Sequence, residues 1–181
     1  MYNFFIIFVI LFSSQTFSMK IIDNKNPKNN VFGNKWELIT DEVMGGKSEA
    51  DFRIIGNNNS FFYRLEGDVS TANNGGFIQF RSEVFVEEVP FSGIRFKVRG
   101  SGDEYFIHVR TSFTILPWQY YSAKFETYND WTLVEIPLSQ LVKSHIFQPG
   151  EVRSESIKSL GFVAYGKDFK AKLDIAEIEF Y

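Results

Sequence analysis

With 181 residues the chain has the length of one domain, and a folded part of about 150 residues buries roughly 70% of the surface its unfolded chain exposes, so a core can form without staples. It has no cysteine, and its formal charge of −3 comes from interspersed acids and bases. Disulfides, thiolate zinc sites, a cysteine nucleophile and the global positive field of a nucleic-acid or anionic-membrane binder are thereby excluded.

The chain opens MYNFFIIFVILFSSQTFSMK, with an unbroken apolar run over 4–12 followed by small polar residues. That run is too short for a membrane-spanning helix, which needs about 20 residues. It reads as the core of a secretory signal peptide, residues 1–18, with Thr16 and Ser18 at the −3 and −1 positions of a cut before Met19. The mature chain is then exported, to a periplasm or beyond, with no stable transmembrane segment. No lysine or arginine precedes the run, and the rival reading takes Met19 as the true start of a soluble intracellular or mitochondrial protein. Residues 19–34 are polar, with Pro27 and several asparagines, and read as a flexible, exposed lead-in; 35–181 is the folded domain.

Beyond the lead-in, apolar segments alternate with turn chemistry. Ten strand candidates follow one another: 35–39, 49–55, 60–70, 76–82, 92–100, 104–111, 119–126, 131–137, 158–166 and 171–181. Aromatic residues make up 18% of the chain, led by 21 phenylalanines, and they fall in these runs beside valine and isoleucine, as strands prefer. No amphipathic helix pattern of useful length appears; Pro137 opens one or two helical turns at most, over 137–144. The expectation is an all-β sandwich, with Trp36 and Trp131, which lead apolar strands, in its core.

Between the first two strands of the domain lies TDEVMGGKSEADF, 40–52. Its GGKS echoes a phosphate loop, but EADFRII alternates like a strand where that loop requires a helix. The corner reading, an Asx-turn at Asp41 with Ser48 as a cap and Gly45-Gly46 in the bend, fits better. A second pair, Asn74-Gly75-Gly76, offers a functional alternative: if the two loops meet, backbone amides and the Asp41 carboxylate bind a partner or a sugar. Asn58-Asn59-Ser60 is a glycosylation sequon, relevant if a eukaryote secretes the chain.

The segment 94–110 reads as a hairpin turning at 100–103, with Arg99 opposite Glu104 and Phe96 opposite Ile107. Alternation then puts Ile94, Phe96, Val98, Tyr105, Ile107 and Val109 on a core face, and Arg95, Lys97, Arg99, Phe106, His108 and Arg110 together on one basic face. That face is either a solvated outer surface or a platform for an anionic or sugar ligand, with Phe106, Tyr120 or Trp118 stacking.

Seven blocks in order resemble the complex I intermediate-associated protein 30 (CIA30) family: Trp36; Asp41, Val43-Met44-Gly45-Gly46 and Ser48; Asn74-Gly75-Gly76-Phe77; VRGSGDEY at 98–105; WTLVEIPLSQL at 131–141; IKSLGFVAYG at 157–166; and LDIAEIEF at 173–180. The resemblance spans about 32–181. It implies a galactose-binding-like jelly roll, similar to non-catalytic carbohydrate-binding modules, and a chaperone-like role in assembling the respiratory NADH dehydrogenase. The base-free start differs from the Arg- and Ser-rich transit peptides of mitochondrial members.

Catalytic patterns do not emerge. The two histidines, His108 and His145, occur in no HExxH or ligand-spaced cluster, and there is no GxSxG. A carboxylate pair for glycoside hydrolysis is a property of the fold, and nothing marks one. Calcium held by Asp174, Glu177 or Glu179 is a minor alternative. The expectation is a non-enzymatic module without cofactor or metal that binds a protein partner, a respiratory subunit or assembly intermediate, or alternatively a glycan. Its candidate contacts are Asp41, Gly45, Gly46, Ser48, Asn74, Gly75, Gly76, Arg95, Arg99, His108, Arg110 and Trp118.

Overall fold

The computed structural model describes residues 18–57, 60–86 and 90–181. The expected signal segment, apart from Ser18, and the first two positions of the sequon lie outside these residues.

Twelve strands run β1 Met19–Lys20, β2 Glu37–Thr40, β3 Glu49–Asn57, β4 Ser60–Val69, β5 Phe77–Glu83, β6 Gly93–Gly100, β7 Glu104–Thr111, β8 Tyr121–Glu126, β9 Thr132–Pro137, β10 Val142–Lys143, β11 Ile157–Tyr165 and β12 Phe169–Phe180. The two that alternation misses, β1 and β10, are two residues long, too short to carry a period. Among the described residues helical structure is confined to 3₁₀ turns, one of them Leu138–Gln140 just after Pro137.

The strands form a jelly-roll sandwich of two antiparallel sheets. Sheet 1 has the order β3-β4-β12-β6-β9, with β1 added to the far part of β12; sheet 2 has the order β10-β8-β7-β11-β5-β2. Their inner faces interdigitate around an aromatic spine in which Phe52, Phe80, Phe162 and Phe96 follow one another at centroid distances of 4.8, 5.2 and 4.9 Å. Three fully buried tyrosines keep their hydroxyls satisfied by donating to carbonyls: Tyr63 to Pro27, Tyr105 to Lys172 and Tyr121 to Pro149, as buried phenols require.

Alternation over 94–110 holds, and the expected hairpin does not. Ile94, Phe96, Val98, Tyr105, Ile107 and Val109 are all 0% exposed. Yet β6 pairs with β12 and β9, and β7 with β11 and β8. Both edges of each strand are occupied, and the turn at 100–103 carries the chain from one sheet to the other. Ser101 N–H donates to Lys172 O of sheet 1 and Thr127 N–H to Asp103 O on the way. A crossing between two sheets that share a core presents the same apolar alternation as a hairpin. The single basic face is therefore two: Arg95, Lys97 and Arg99 lie outside sheet 1, and Phe106, His108 and Arg110 outside sheet 2.

Two further expectations are corrected. The lead-in is fastened to the sandwich: Ile21 is 0% exposed, Met19 and Lys20 pair with Phe180 and Glu179, and the buried Asn30 amide donates to Ser82 Oγ and Glu83 O. Isolated apolar residues in a polar segment give no periodic signal, so their burial was not legible. Trp36 is buried, but Trp131 lies outside sheet 1, where its ring covers the Arg99 guanidinium at 4.7 Å.

Candidate functional site

The two glycine-bearing loops do meet, and they meet on Asp41. After β2 the chain makes a 3₁₀ turn, Asp41–Met44, closed by Gly45 in the left-handed region (φ 84), where glycine carries no side-chain penalty. This folds Asp41 inward to complete burial. Its carboxylate accepts from Ser48 N–H at 2.9 Å, Ser48 Oγ–H at 2.6 Å, and the amides of Gly76 and Phe77. Burial alone would push this carboxyl up; the Ser48 hydroxyl and the Gly76, Ser48 and Phe77 amides outweigh it and hold it below the usual carboxylate range. Gly46 and Gly75 flank the acid so closely that a Cβ on either would stand 2.3 or 2.4 Å from an Asp41 side-chain atom. Asn74 stays exposed, while its neighbour Asn73 donates to Gly45 O at 3.3 Å. All four Asp41 bonds are internal, so chemically this constellation is a clasp between two loops.

Outside sheet 1, the basic row faces acids projected by β12. Asp174, buried to 2% exposure, accepts from Arg64 Nε and Nη2 at 2.6 and 2.7 Å and from Arg99 Nε at 2.8 Å. Arg95 pairs with Glu179 at 2.8 Å and Lys97 with Glu177 at 2.9 Å. The three acids considered for calcium are thus each engaged by cations, and among the described residues no group of His, Asp and Glu is arranged to hold a metal. Register shifts in β12 between Ala176 and Glu179, with Glu177 at φ 50; there β12 leaves β4 and takes up β1. A groove of about 540 Å³ opens at the split, walled by Phe61, Phe62, Lys97, Arg99, Trp131 and Glu177. Arg64 and Phe62 went unrecognised in the sequence, and Asp174 entered it only as a calcium candidate, because their role depends on which strands are neighbours.

Outside sheet 2, the loop from Ser112 to Tyr120 folds back against the strands. Thr114 Oγ1–H donates to Thr111 O, the amides of Ile115 and Leu116 donate to Gln119 Oε1, and Arg110 Nη2 donates to the carbonyls of Thr114 and Leu116. His108 stacks on Tyr120 at 3.9 Å, and burial pushes its imidazole down to about 4. A second loop, 144–149 after β10, is tied to the first: Ser144 N–H and Gln148 Nε2 donate to Tyr120 O, and Tyr120 N–H donates to Ser144 Oγ. The pair presents a rim of large apolar side chains to solvent, including Ile115 and Phe147 at 83% exposure, Ile146 at 76% and Trp118 at 61%. Of this rim the sequence reading named only Trp118. The second loop carries no period, and nothing in the sequence distinguishes an exposed Ile146-Phe147 from a core pair.

The candidates thus fall into three separate places: the clasp (Asp41, Gly45, Gly46, Ser48, Asn74, Gly75, Gly76), the outside of sheet 1 (Arg95, Arg99) and the outside of sheet 2 with its loops (His108, Arg110, Trp118).

Comparison with known proteins agrees with the architecture. The chain is similar to the family 11 carbohydrate-binding module of the cellulosomal cellulase Lic26A-Cel5E of Clostridium thermocellum, with a TM-score of 0.71 at 15% identity over 92% of this chain and 95% of that one. It is also similar to a family 11 module from the same organism in complex with a β-1,3-1,4-mixed-linked tetrasaccharide (TM-score 0.65, 16% identity, 80% and 87% covered). A third likeness is to the family 30 module of the cellulase Cel9D-Cel44B of Clostridium thermocellum (0.56, 14%, 91% and 97%). At these identities the likeness establishes the jelly-roll fold. No curated protein matches the chain in sequence. The family model for complex I intermediate-associated protein 30 matches residues 24–175, from the fastened lead-in through the Asp41 clasp to the middle of β12, and the chain belongs to that family.

Proposed function

We propose that this protein is a non-enzymatic binding module that docks on an assembly intermediate of a membrane respiratory NADH dehydrogenase through the apolar rim of the loops 112–120 and 144–149. The family supports the partner class, and the rim is the observation that carries the docking. Contiguous exposed apolar side chains of this size mark interaction surfaces, and aromatic anchors such as Trp118 and Phe147 suit the centre of an interface. The internal hydrogen bonds of both loops hold the rim in shape before a partner arrives, which reduces the ordering cost of association.

The glycan reading is favoured by a different feature, the groove outside sheet 1, where Trp131 and Phe62 offer ring surface beside Lys97 and Glu177. The two readings separate in one experiment. Tagged protein is used for capture from the native membrane fraction and, in parallel, on a glycan array. The docking reading expects NADH dehydrogenase subunits in the capture and their loss, at least about tenfold, with Trp118→Ser/Phe147→Ser. A capture without any respiratory subunit, joined to glycan binding that disappears with Trp131→Ala, overturns it in favour of the groove.

A further inference from the structure

Beside the apolar rim, the outer face of sheet 2 contains a hollow lined only by hydrogen-bond donors and neutral groups. It lies between β5, β11 and β7 at the register row Arg81–Gly161–His108. Gly161 forms its floor: a Cβ there would stand 3.1 Å from Arg81 Cβ and 3.2 Å from Gln79 Oε1, so the glycine keeps the space open. Gln79, Arg81, His108, Arg110 and Gln119 stand around it, with Pro117 and Tyr120 of the rim loop closing one side.

The charges in this hollow are unbalanced. The Arg81 side chain makes no hydrogen bond or ion pair with any described residue, and Arg110 gives one nitrogen to the loop carbonyls of Thr114 and Leu116. Each arginine meets the other as a like charge, and burial together with Arg81 pushes the Arg110 guanidinium down. The acids closest by register are Glu37, opposite Arg81 on β2, and Glu83, two residues along β5; neither forms an ion pair with it. Gln119 Oε1 is occupied by loop amides, which leaves its NH₂ group as a further donor. Outside sheet 1, by contrast, every arginine of the outer row has a carboxylate. Two neighbouring guanidiniums without a counter-ion are costly in a protein's own terms and are the donor set that recognises a planar oxyanion.

We propose that this hollow receives the carboxylate of an acidic side chain from the protein that docks on the rim. The proposal rests on the docking reading and adds the charge of the partner. Size admits the occupant: the hollow has about 50 Å³, above the roughly 10–15 Å³ that a single water requires, so a small planar carboxylate has room. Position selects it, since Arg110 holds the backbone of the loop that carries Trp118, and an acid seated there lies at the edge of the apolar contact. Such a polar pocket next to aromatic anchors fixes the orientation of a partner.

The test uses isolated groups as probes and needs no partner, so its outcome is independent of the membrane-fraction capture. N-acetyl-glutamate N-methylamide, the corresponding glutamine compound and digalacturonate are titrated while the Arg81 Nε–H and Gly161 amide resonances are followed by NMR. The expected result is saturable binding of the glutamate probe, tighter than the glutamine probe by at least about tenfold. Arg81→Gln removes that preference, and Lys124→Gln, which deletes a cation elsewhere on the same face, keeps it. Arg81 has no partner to lose, so its variant folds; unchanged thermal unfolding checks this. Equal binding of both probes, or a preference that survives Arg81→Gln, overturns the site. Digalacturonate binding about tenfold more tightly than the glutamate probe overturns the assignment to a protein side chain.

Discussion

Asp41 is surrounded by residues chosen for their lack of a side chain. With Gly46 and Gly75 against its carboxyl, an added methyl has no space that Asp41 can vacate, because Ser48, Gly76 and Phe77 hold it in place. Gly46→Ala is expected to lower stability by at least about 2 kcal/mol, read as a shift of the urea midpoint with unchanged slope. The outward Gly102, with nothing within 4 Å of its Cβ position, shows that the glycines of this chain differ in what they are for. The glycine pairs were legible as corners, since turn chemistry is local. Their meeting on one acid was not, because 35 residues separate Asp41 from Gly76. His108 gives a second prediction at this scale. Its imidazole is held neutral down to about 4 in the folded state and ordinarily takes a proton near 6.5 when unfolded. The unfolded chain therefore binds the extra proton between those values. The contribution is fully present above about pH 6.5 and is lost as pH falls towards 4, by up to about 3 kcal/mol. Denaturation midpoints at pH 7 and 5 should diverge in the native protein and diverge less in His108→Phe.

Among the elements, β12 organises sheet 1 and shows where charge matters. Asp174→Ala leaves Arg64 and Arg99, with 19% and 33% of their side chains exposed, without their shared carboxylate, and should cost roughly 1–3 kcal/mol, since both guanidiniums keep some water. Lys97→Ala removes only an exposed pair on the same face and should stay within about 0.5 kcal/mol. Thermal or urea unfolding of the two variants checks the contrast. Strand existence was well legible here: ten segments were found by alternation and turn residues, and the inner face of 94–110 by period alone. Pairing was not legible. Period reports which surface a side chain takes, and β6 and β7 take the same core from opposite sides, so the basic side chains between them divide between two outer surfaces.

At the scale of the whole molecule the sandwich offers two unlike exteriors. Sheet 1 is charge-balanced around a groove, and sheet 2 carries unpaired cations beside an apolar rim. The proposed docking uses only the second, so variants on the sheet 1 exterior, such as Trp131→Ala, leave partner capture intact. We further propose that the chain is exported after removal of 1–18. N-terminal sequencing of the protein recovered from cell fractions should begin at Met19 in an extracytoplasmic fraction; an intact Met1 in the cytosol would refute export. No helix among the described residues is long and apolar enough to cross a membrane.

The place of β12 has a consequence for how the chain is made. It is the middle strand of its sheet, inserted between β4 and β6, and its Asp174 reaches back 110 positions to Arg64. A nascent polypeptide therefore waits with an open gap in sheet 1 until β12 has left the ribosome. Contacts of such long range also form slowly. Until then sheet 1 stays incomplete, and the export proposed above uses that interval, since a narrow translocation pore takes a chain that has not yet closed its fold.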